Sequence, residues 1–343
     1  ARLLIMDEPT SSLTLTETER LMGVVRDLRS QGVSVIYISH RLGEVRELAD
    51  RVVTLRDGKN AGTLARDEIT HDRMVRMMVG RDINSFYARG EQGEGEARFG
   101  VRSLRTRRYP QHAVTFDVRR GEIFGCAGLV GAGRSELAHA IFGVEPAVGG
   151  TITLGGEEVT VRSPRDAIRR GIYLVPEDRR RCGLNVEELI RKNVSLPALP
   201  RYSTAGVVRV AEERKVAERF CAQLNVKAPS VEVRAGNLSG GNQQKVVLAK
   251  WLSLGPRVLV FDEPTRGIDV GAKQEIYDLM RGLAREGVAI MMISSDMEEV
   301  LGVSDRVAVM HEGRLTGVLA RQEFSEEAVM RLAVGQTGEG SGD

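Results

Sequence analysis

The sequence predicts an α/β fold built on a parallel sheet, on three observations. Short runs of Val, Ile and Leu alternate with stretches of helical spacing, the order that lays helices on the faces of parallel strands. A glycine-rich turn stands between one such run and the helix after it. Residues 3–80 also recur 255 positions later, with no insertion or deletion.

The repeat is carried by Asp7-Glu8-Pro9-Thr10, which returns as Asp262-Glu263-Pro264-Thr265. Ile38-Ser39 returns as Ile293-Ser294, and Asp50-Arg51-Val52 as Asp305-Arg306-Val307. A repeat of this length is a duplicated domain, not a short solenoid unit. The first copy opens inside a strand. The expected organisation is the C-terminal part of one domain over residues 1–83 and a linker over 84–98. A complete second domain follows over 99–337, with a flexible tail over 338–343. The linker is placed where apolar periodicity gives way to Gly and Glu.

In the first copy, residues 3–6 form an apolar run expected to be a strand buried on both faces. Residues 17–31 put Leu21, Val24, Val25 and Leu28 on one helical face, and 33–38 and 52–55 read as further strands. In the second, strands are expected at 115–118 and 123–128, and a helix at 135–142 after the glycine-rich loop. A hairpin follows around Gly155-Gly156, flanked by 151–154 and 159–161. Residues 172–175 form a buried strand. Residues 185–254 read as mostly helical, with helices at 212–224 and 242–252. Strand–helix alternation resumes with strands at 258–261, 289–293 and 306–310, and helices at 273–285 and 326–334.

Bulk composition is that of a globular protein, with 42% hydrophobic and 28% charged residues. At 343 residues the length suits about two domains. A net charge of +2 argues neither for nor against an acidic partner, and the sequence carries no basic stripe of the kind nucleic-acid binding needs. Cys126, Cys182 and Cys221 fit no metal-ligand spacing and read as buried, reduced thiols, which suits a cytosolic compartment. No apolar run reaches the ~20 residues a membrane span requires.

Three motifs carry chemistry. Gly128-Leu-Val-Gly131-Ala-Gly133-Arg134-Ser135 fits the phosphate loop G-x-x-x-x-G-K-[ST], with Arg134 in the lysine position. Its glycines let backbone N–H groups converge on phosphate oxygens, and the helix start adds positive potential. Ser135 would reach Mg²⁺; Arg134 keeps the charge without the compact ammonium. A plain strand–helix turn is the bland alternative. Residues 258–261 then lead into Asp262 and Glu263, a strand end that would set Asp262 beside Mg²⁺ and Glu263 near a γ-phosphate. Asp7 and Glu8 repeat it. Leu238-Ser239-Gly240-Gly241-Asn242-Gln243-Gln244-Lys245 opens a helix with a good N-cap residue and two glycines, an anion site by type.

In this order, these motifs resemble the ATP-binding cassette of ABC transporters. Val175-Pro176-Glu177-Asp178-Arg179 and the Leu-Ser-Gly-Gly-Asn-Gln-Gln-Lys run narrow the resemblance. They are similar to the two-cassette ATPase subunits of bacterial monosaccharide importers of the ribose, galactose, xylose and arabinose type. The resemblance implies a P-loop NTPase fold: a parallel core sheet, an antiparallel β subdomain and a helical signature subdomain. One cassette would be partial and one complete, in an N-terminally truncated chain.

It also implies ATP and Mg²⁺ as ligands, bound between paired cassettes. The nucleotide-binding positions would be Gly128, Gly131, Ala132, Gly133, Arg134, Ser135 and Glu136 in the loop. Ser239, Gly240, Gly241 and Gln243 would serve from the signature, and Ser295 from the end of the strand at 289–293. Asp7, Asp262, Ser135 and Glu177 would serve the metal; Glu8, His40 and Glu263 would be catalytic. One site would join Asp7, Glu8 and His40 with Ser239, Gly240 and Gly241, all of standard type, so that site is expected to hydrolyse. The other departs from the pattern at Arg134 for Lys, Ser295 for His and Glu177 for Gln, so it is expected to bind with turnover in doubt. The first copy's own phosphate loop projects to before Ala1, so the chain alone is expected not to complete the hydrolytic site. Tyr109 reads either as an adenine-stacking aromatic or as a core or surface residue.

The partners implied are transmembrane permease subunits and, indirectly, a periplasmic or lipid-anchored sugar-binding protein, with no nucleic acid. The place implied is the cytoplasmic face of the cell membrane. Two other classes compete: a soluble ABC ATPase outside transport, and a non-hydrolysing nucleotide-binding module.

Overall fold

The computed structural model describes residues 1–10, 13, 15–39, 41–56, 58–79, 96–268 and 270–336. They fall into two compact units divided near residue 88, with 270–274 grouped with the first.

The first unit runs β1 (Leu3–Asp7), α1 (Leu15–Ser30), β2 (Ser34–Ile38), α2 (Leu42–Leu48), β3 (Arg51–Arg56), β4 (Lys59–Ala65) and α3 (His71–Val79). β1 and β2 pair in parallel and β3 and β4 as an antiparallel hairpin. Met22 and Val25 of α1 pack with Leu48 against Met6, Val35 and Tyr37, covering one face of the parallel pair. Among the described residues nothing covers the other face. Leu3 is 52% and Ile5 62% exposed, with Ile36 and Ile38 beside them. This corrects the expectation of a strand buried on both faces: the apolar pattern is there, but among the described residues one layer covers it.

The second unit opens with β5 (Ala97–Arg105), β6 (Val114–Arg119), β7 (Ile123–Gly128), α4 (Arg134–Phe142), β8 (Gly149–Leu154) and β9 (Glu157–Val159). α5 (Pro164–Arg170), β10 (Ile172–Val175) and a single π turn at Arg179–Gly183 follow. The helical part holds α6 (Ile190–Ser195), the hairpin β11 (Ser203–Thr204) and β12 (Val207–Val208), α7 (Val210–Gln223) and α8 (Gly240–Leu252). The chain closes with β13 (Val258–Asp262), α9 (Val270–Arg285), β14 (Ala289–Ile293), α10 (Met297–Val303), β15 (Arg306–His311), β16 (Arg314–Ala320) and α11 (Glu326–Ala333).

The core sheet has the order β10-β13-β14-β7-β15-β16, parallel except for β16 at its edge. β13 and β14 are buried throughout, which is why they read as unbroken apolar runs. β6-β5-β8-β9 form the antiparallel sheet, and Phe116 of β6 stacks on Phe124 of β7 with ring centroids 5.2 Å apart. Tyr173 of β10 stacks on Trp251 of α8 at 5.0 Å, and the Trp251 indole N–H donates to Leu174 O at 2.8 Å.

Each element of the first unit has a counterpart at the same offset: β1 with β13, α1 with α9, β2 with β14, β3 with β15 and β4 with β16. The register shift between Thr54 and Leu55 recurs between Val309 and Met310.

Some expectations shift. β5 begins at Ala97, inside the stretch expected as linker; residues 84–95 of that stretch and the expected tail lie outside the described residues. β9 lies at Glu157–Val159, ahead of the expected 159–161, because the Gly155-Gly156 turn is tight and both glycines have positive φ. The segment expected to be mostly helical contains a hairpin, closed by Ala205 and Gly206, both in left-handed backbone. Cys126 and Cys221 are buried, and burial pushes their thiols up to about 12 and about 11. Cys182 is exposed, contrary to expectation, because the π turn carries it outward.

Candidate functional site

β7 ends at Gly128, the loop crosses 129–133, and α4 begins at Arg134. Gly128 needs its lack of a side chain: a Cβ there would stand 2.5 Å from Met310 O on the neighbouring strand. Gly131, at φ +83°, faces open space. The loop is thus a cradle of backbone with room above it. Tyr109 braces it. Its hydroxyl donates to Gly131 O at 2.6 Å, and a Cβ on Gly133 would meet its ring at 3.0 Å. Ala132 accepts from Gly313 N at 2.8 Å.

β13, β14 and β7 are neighbours, so their carboxyl ends meet beside this loop, the place where open parallel sheets bind ligands. Ser135 Oγ donates to Asp262 Oδ1 at 3.1 Å. Burial pushes the Asp262 carboxyl up to about 6; the Ser135 hydroxyl opposes this and the Glu263 charge adds to it. Arg134 is buried, donating from Nη1 to Ser294 O at 2.6 Å, with Nη2 3.8 Å from Glu263 Oε1. Ser295 Oγ donates to Glu263 Oε2 at 3.0 Å. Arg134, Ser135, Asp262, Glu263 and Ser295 therefore converge.

Glu263 takes a left-handed conformation, φ +48°, with its N–H donating to Ile293 O at 2.9 Å. Glu8 repeats this at φ +45°, donating to Ile38 O at 2.9 Å. A non-glycine residue here costs on the order of 1 kcal/mol, and such strain gathers at functional turns. In the first unit Asp7 ends β1 and Glu8 follows; His40 lies outside the described residues.

Ser239 stands at the N-cap position of α8 without a side-chain cap bond to the backbone; its Oγ accepts from Asn242 Nδ2 at 3.0 Å. Arg179 fills the space beside the signature: a Cβ on Gly240 would stand 2.4 Å from its Nη2. Arg179 donates to Arg266 O at 3.0 Å and Gly267 O at 3.2 Å, tying the turn after Asp262-Glu263 to the helix start. Burial draws its guanidinium below the usual range.

Three expected site residues are otherwise engaged. Gln243 is fully buried; its amide donates to Ala235 O at 3.3 Å and Leu238 O at 3.1 Å, which shapes the turn before α8 instead of facing a ligand. Glu136 pairs with Arg108, and Glu177 with Arg266. Gly241 is buried in the first turn of α8. Neither Arg179 as a tie nor Ser294 as the acceptor for Arg134 has a local signal in the chain.

The residues fit a nucleotide with Mg²⁺. The open glycine cradle, the N-terminus of α4 and Arg134 suit an anion, and Ser135 and Asp262 offer hard oxygen donors. Among the described residues no three His, Cys, Asp or Glu form a metal cluster. Among the described residues no helix is long and apolar enough to cross a membrane.

The sequence family described as ABC transporter matches residues 111–266. The chain is 51% identical over 336 residues to ribose import ATP-binding protein RbsA 2 of Streptomyces avermitilis, spanning 98% of this chain and 66% of that protein. It is 49% identical over 335 residues to RbsA 3 of Rubrobacter xylanophilus, spanning 98% and 67%. The chain thus spans about two thirds of the length of these relatives. Among solved structures, cbiO1 from Clostridium perfringens, part of an ABC transporter complex, aligns with TM-score 0.56 at 24% identity over 69% of this chain and 94% of that one. An ATP-binding cassette of another ABC transporter aligns with TM-score 0.59 at 20% identity, over 70% and 100%.

Proposed function

Because the chain belongs to the ABC transporter ATP-binding family, we propose that it binds and hydrolyses ATP to energise sugar import through a membrane permease. The observation that carries the reading is the convergence of Arg134, Ser135, Asp262 and Glu263 beside an open glycine cradle. The name of the relatives, ribose import ATP-binding protein, supports a monosaccharide as cargo.

Gly131 and Gly133 would present backbone N–H groups to phosphates, while Ser135 and Asp262 would hold the ion. Mg²⁺ would supply neutralisation of the phosphate charge. Tyr109, which braces the loop, would border the nucleotide in this reading. Asp7, Glu8 and His40, completed by Ser239, Gly240 and Gly241, form the hydrolytic set in this reading. Glu8 would draw a proton from water there. The second set binds and turns over little, since the Arg134 guanidinium is committed to Ser294 O and lies against Glu263. That same pair favours the second reading, a nucleotide-binding module without hydrolysis. Partners are permease subunits at the cytoplasmic face of the membrane and, through them, a sugar-binding protein.

The test compares MgATP turnover of the full-length protein with Glu8→Gln and Glu263→Gln variants. Glu8→Gln is expected to lower turnover by about a hundredfold or more, and Glu263→Gln by about threefold or less. Equal losses would remove the inequality of the sites. ATP binding without turnover in the wild type would favour the second reading.

A further inference from the structure

Glu44 in α2 is a buried carboxylate with no place in the chemistry described above. Its Oε2 accepts from Thr10 Oγ1 at 2.8 Å, from Tyr37 Oη at 2.8 Å and from Ser39 Oγ at 3.4 Å. Arg41 Nη1 reaches Oε1 at 3.3 Å. Thr10 is 1% exposed and stands two residues after Glu8 in the Asp-Glu-Pro-Thr turn. Tyr37 and Ser39 lie at the end of β2, on either side of Ile38, whose carbonyl takes the Glu8 N–H.

One carboxylate therefore fastens the turn that carries Glu8 to the strand end against which Glu8 is set. A buried carboxylate that lost these donors would meet a large desolvation cost, so the arrangement is stiff. The second unit repeats the serine link of this arrangement at the same offset. Glu299 is 1% exposed and accepts from Ser294 Oγ, and Ser294 Oγ accepts from Asp296 N at 3.0 Å just as Ser39 Oγ accepts from Arg41 N at 3.0 Å. The position equivalent to Tyr37 is Met292, so the phenol is particular to the first unit.

We propose that Glu44 is a positioning residue for hydrolysis, holding the left-handed Glu8 turn against the end of β2 through Thr10, Tyr37 and Ser39. It acts through Glu8 and touches no phosphate, and it rests on the reading of Glu8 as the hydrolytic carboxylate. Tyr37 gives an independent probe. Burial, followed by its bond to Glu44, pushes its phenol up to about 12.

The experiment measures MgATP turnover, thermal unfolding and tyrosine ionisation on the full-length protein. Variants are Glu44→Gln, Thr10→Val and the hydroxyl-keeping Thr10→Ser. Displacing a reacting group by about an ångström can cost up to about a hundredfold. Glu44→Gln and Thr10→Val are expected to lower kcat by about tenfold or more with KM for ATP within about twofold. Thr10→Ser is expected to keep near wild-type kcat, and Glu44→Gln to bring the late-titrating tyrosine to lower pH. Turnover within twofold of wild type in both Glu44→Gln and Thr10→Val would overturn the proposal. So would a kcat loss that Thr10→Ser shares equally. No turnover by the wild type would instead overturn the hydrolytic reading itself, and this proposal with it.

Discussion

The Arg134 guanidinium lies 3.8 Å from the Glu263 carboxylate, joining the phosphate loop to the acidic end of β13 across 129 positions of sequence. Both side chains are largely buried, and the same guanidinium donates to Ser294 O. Breaking a buried charge pair from one side leaves the other charge exposed to the full desolvation cost.

Arg134→Ala is therefore expected to cost about 2–4 kcal/mol of stability and to weaken nucleotide binding. Arg134→Lys should keep part of both, because an ammonium cannot reach the carbonyl and the carboxylate in the same fork. Chemical denaturation and nucleotide titration of the two variants check this. Equal stability of Arg134→Ala and wild type would remove the structural role.

Asp262 sets a pH dependence. Its carboxyl is raised from 3.8 to about 6, by burial first, so the folded state holds a proton that the unfolded chain releases near pH 4. The stabilisation this brings is present below pH ~4 and is lost as pH rises through about 6. At neutral pH the buried charge is a burden. Asp262→Asn is expected to raise the unfolding temperature at pH 7 by more than at pH 4, with a differential on the order of 2 kcal/mol. Thermal scans at the two pH values measure it; the same shift at both would deny the raised carboxyl.

Gly313 has φ +80°, and a Cβ there would stand 2.2 Å from Tyr109 Cγ. Gly313→Ala is expected to cost about 1–2 kcal/mol for the left-handed backbone alone, with a further loss from moving the Tyr109 ring. Tyr109→Ala should relieve the ring's share of that second loss, though the Tyr109 Cβ, 2.4 Å from the added Cβ, stays. The double variant is then expected to be more stable than the sum of the singles, by about 0.5–3 kcal/mol in a mutant cycle. Additive effects would show that the ring and the glycine are not coupled.

Trp251 is the sole tryptophan, stacked on Tyr173 and donating to Leu174 O inside the second unit. Trp251→Phe keeps the stack but strands that carbonyl, at an expected cost of about 1–3 kcal/mol. In the wild type, indole emission should shift to the red as the second unit unfolds. An unshifted spectrum in denaturant, or no loss of stability in the variant, would contradict the buried indole.

Much of this protein is local in origin. The alternation of apolar runs with helical spacing places the strands of the core sheet, because a strand covered on both faces carries apolar residues at every position. The glycine spacing from 128 to 133 marks the phosphate loop, because only a backbone without side chains can close around an anion. The repeat reveals its own symmetry without any structure, down to the two Asp-Glu strand ends. These are properties of neighbours in the chain.

Tertiary structure alone decided the rest. Nothing near Arg134 in sequence says that its guanidinium turns to Ser294 O, or that Gln243 points inward while Arg179 fills the space beside Gly240. Glu44 meets Thr10 only because β1 and β2 lie side by side and α2 folds back over their ends. β1 and β13 share an apolar pattern, yet one is half open and the other buried, since burial depends on which layers surround a strand. Periodicity is written residue by residue; partners across a hundred positions are chosen by strand order, where packing and the cost of unpaired buried charge decide.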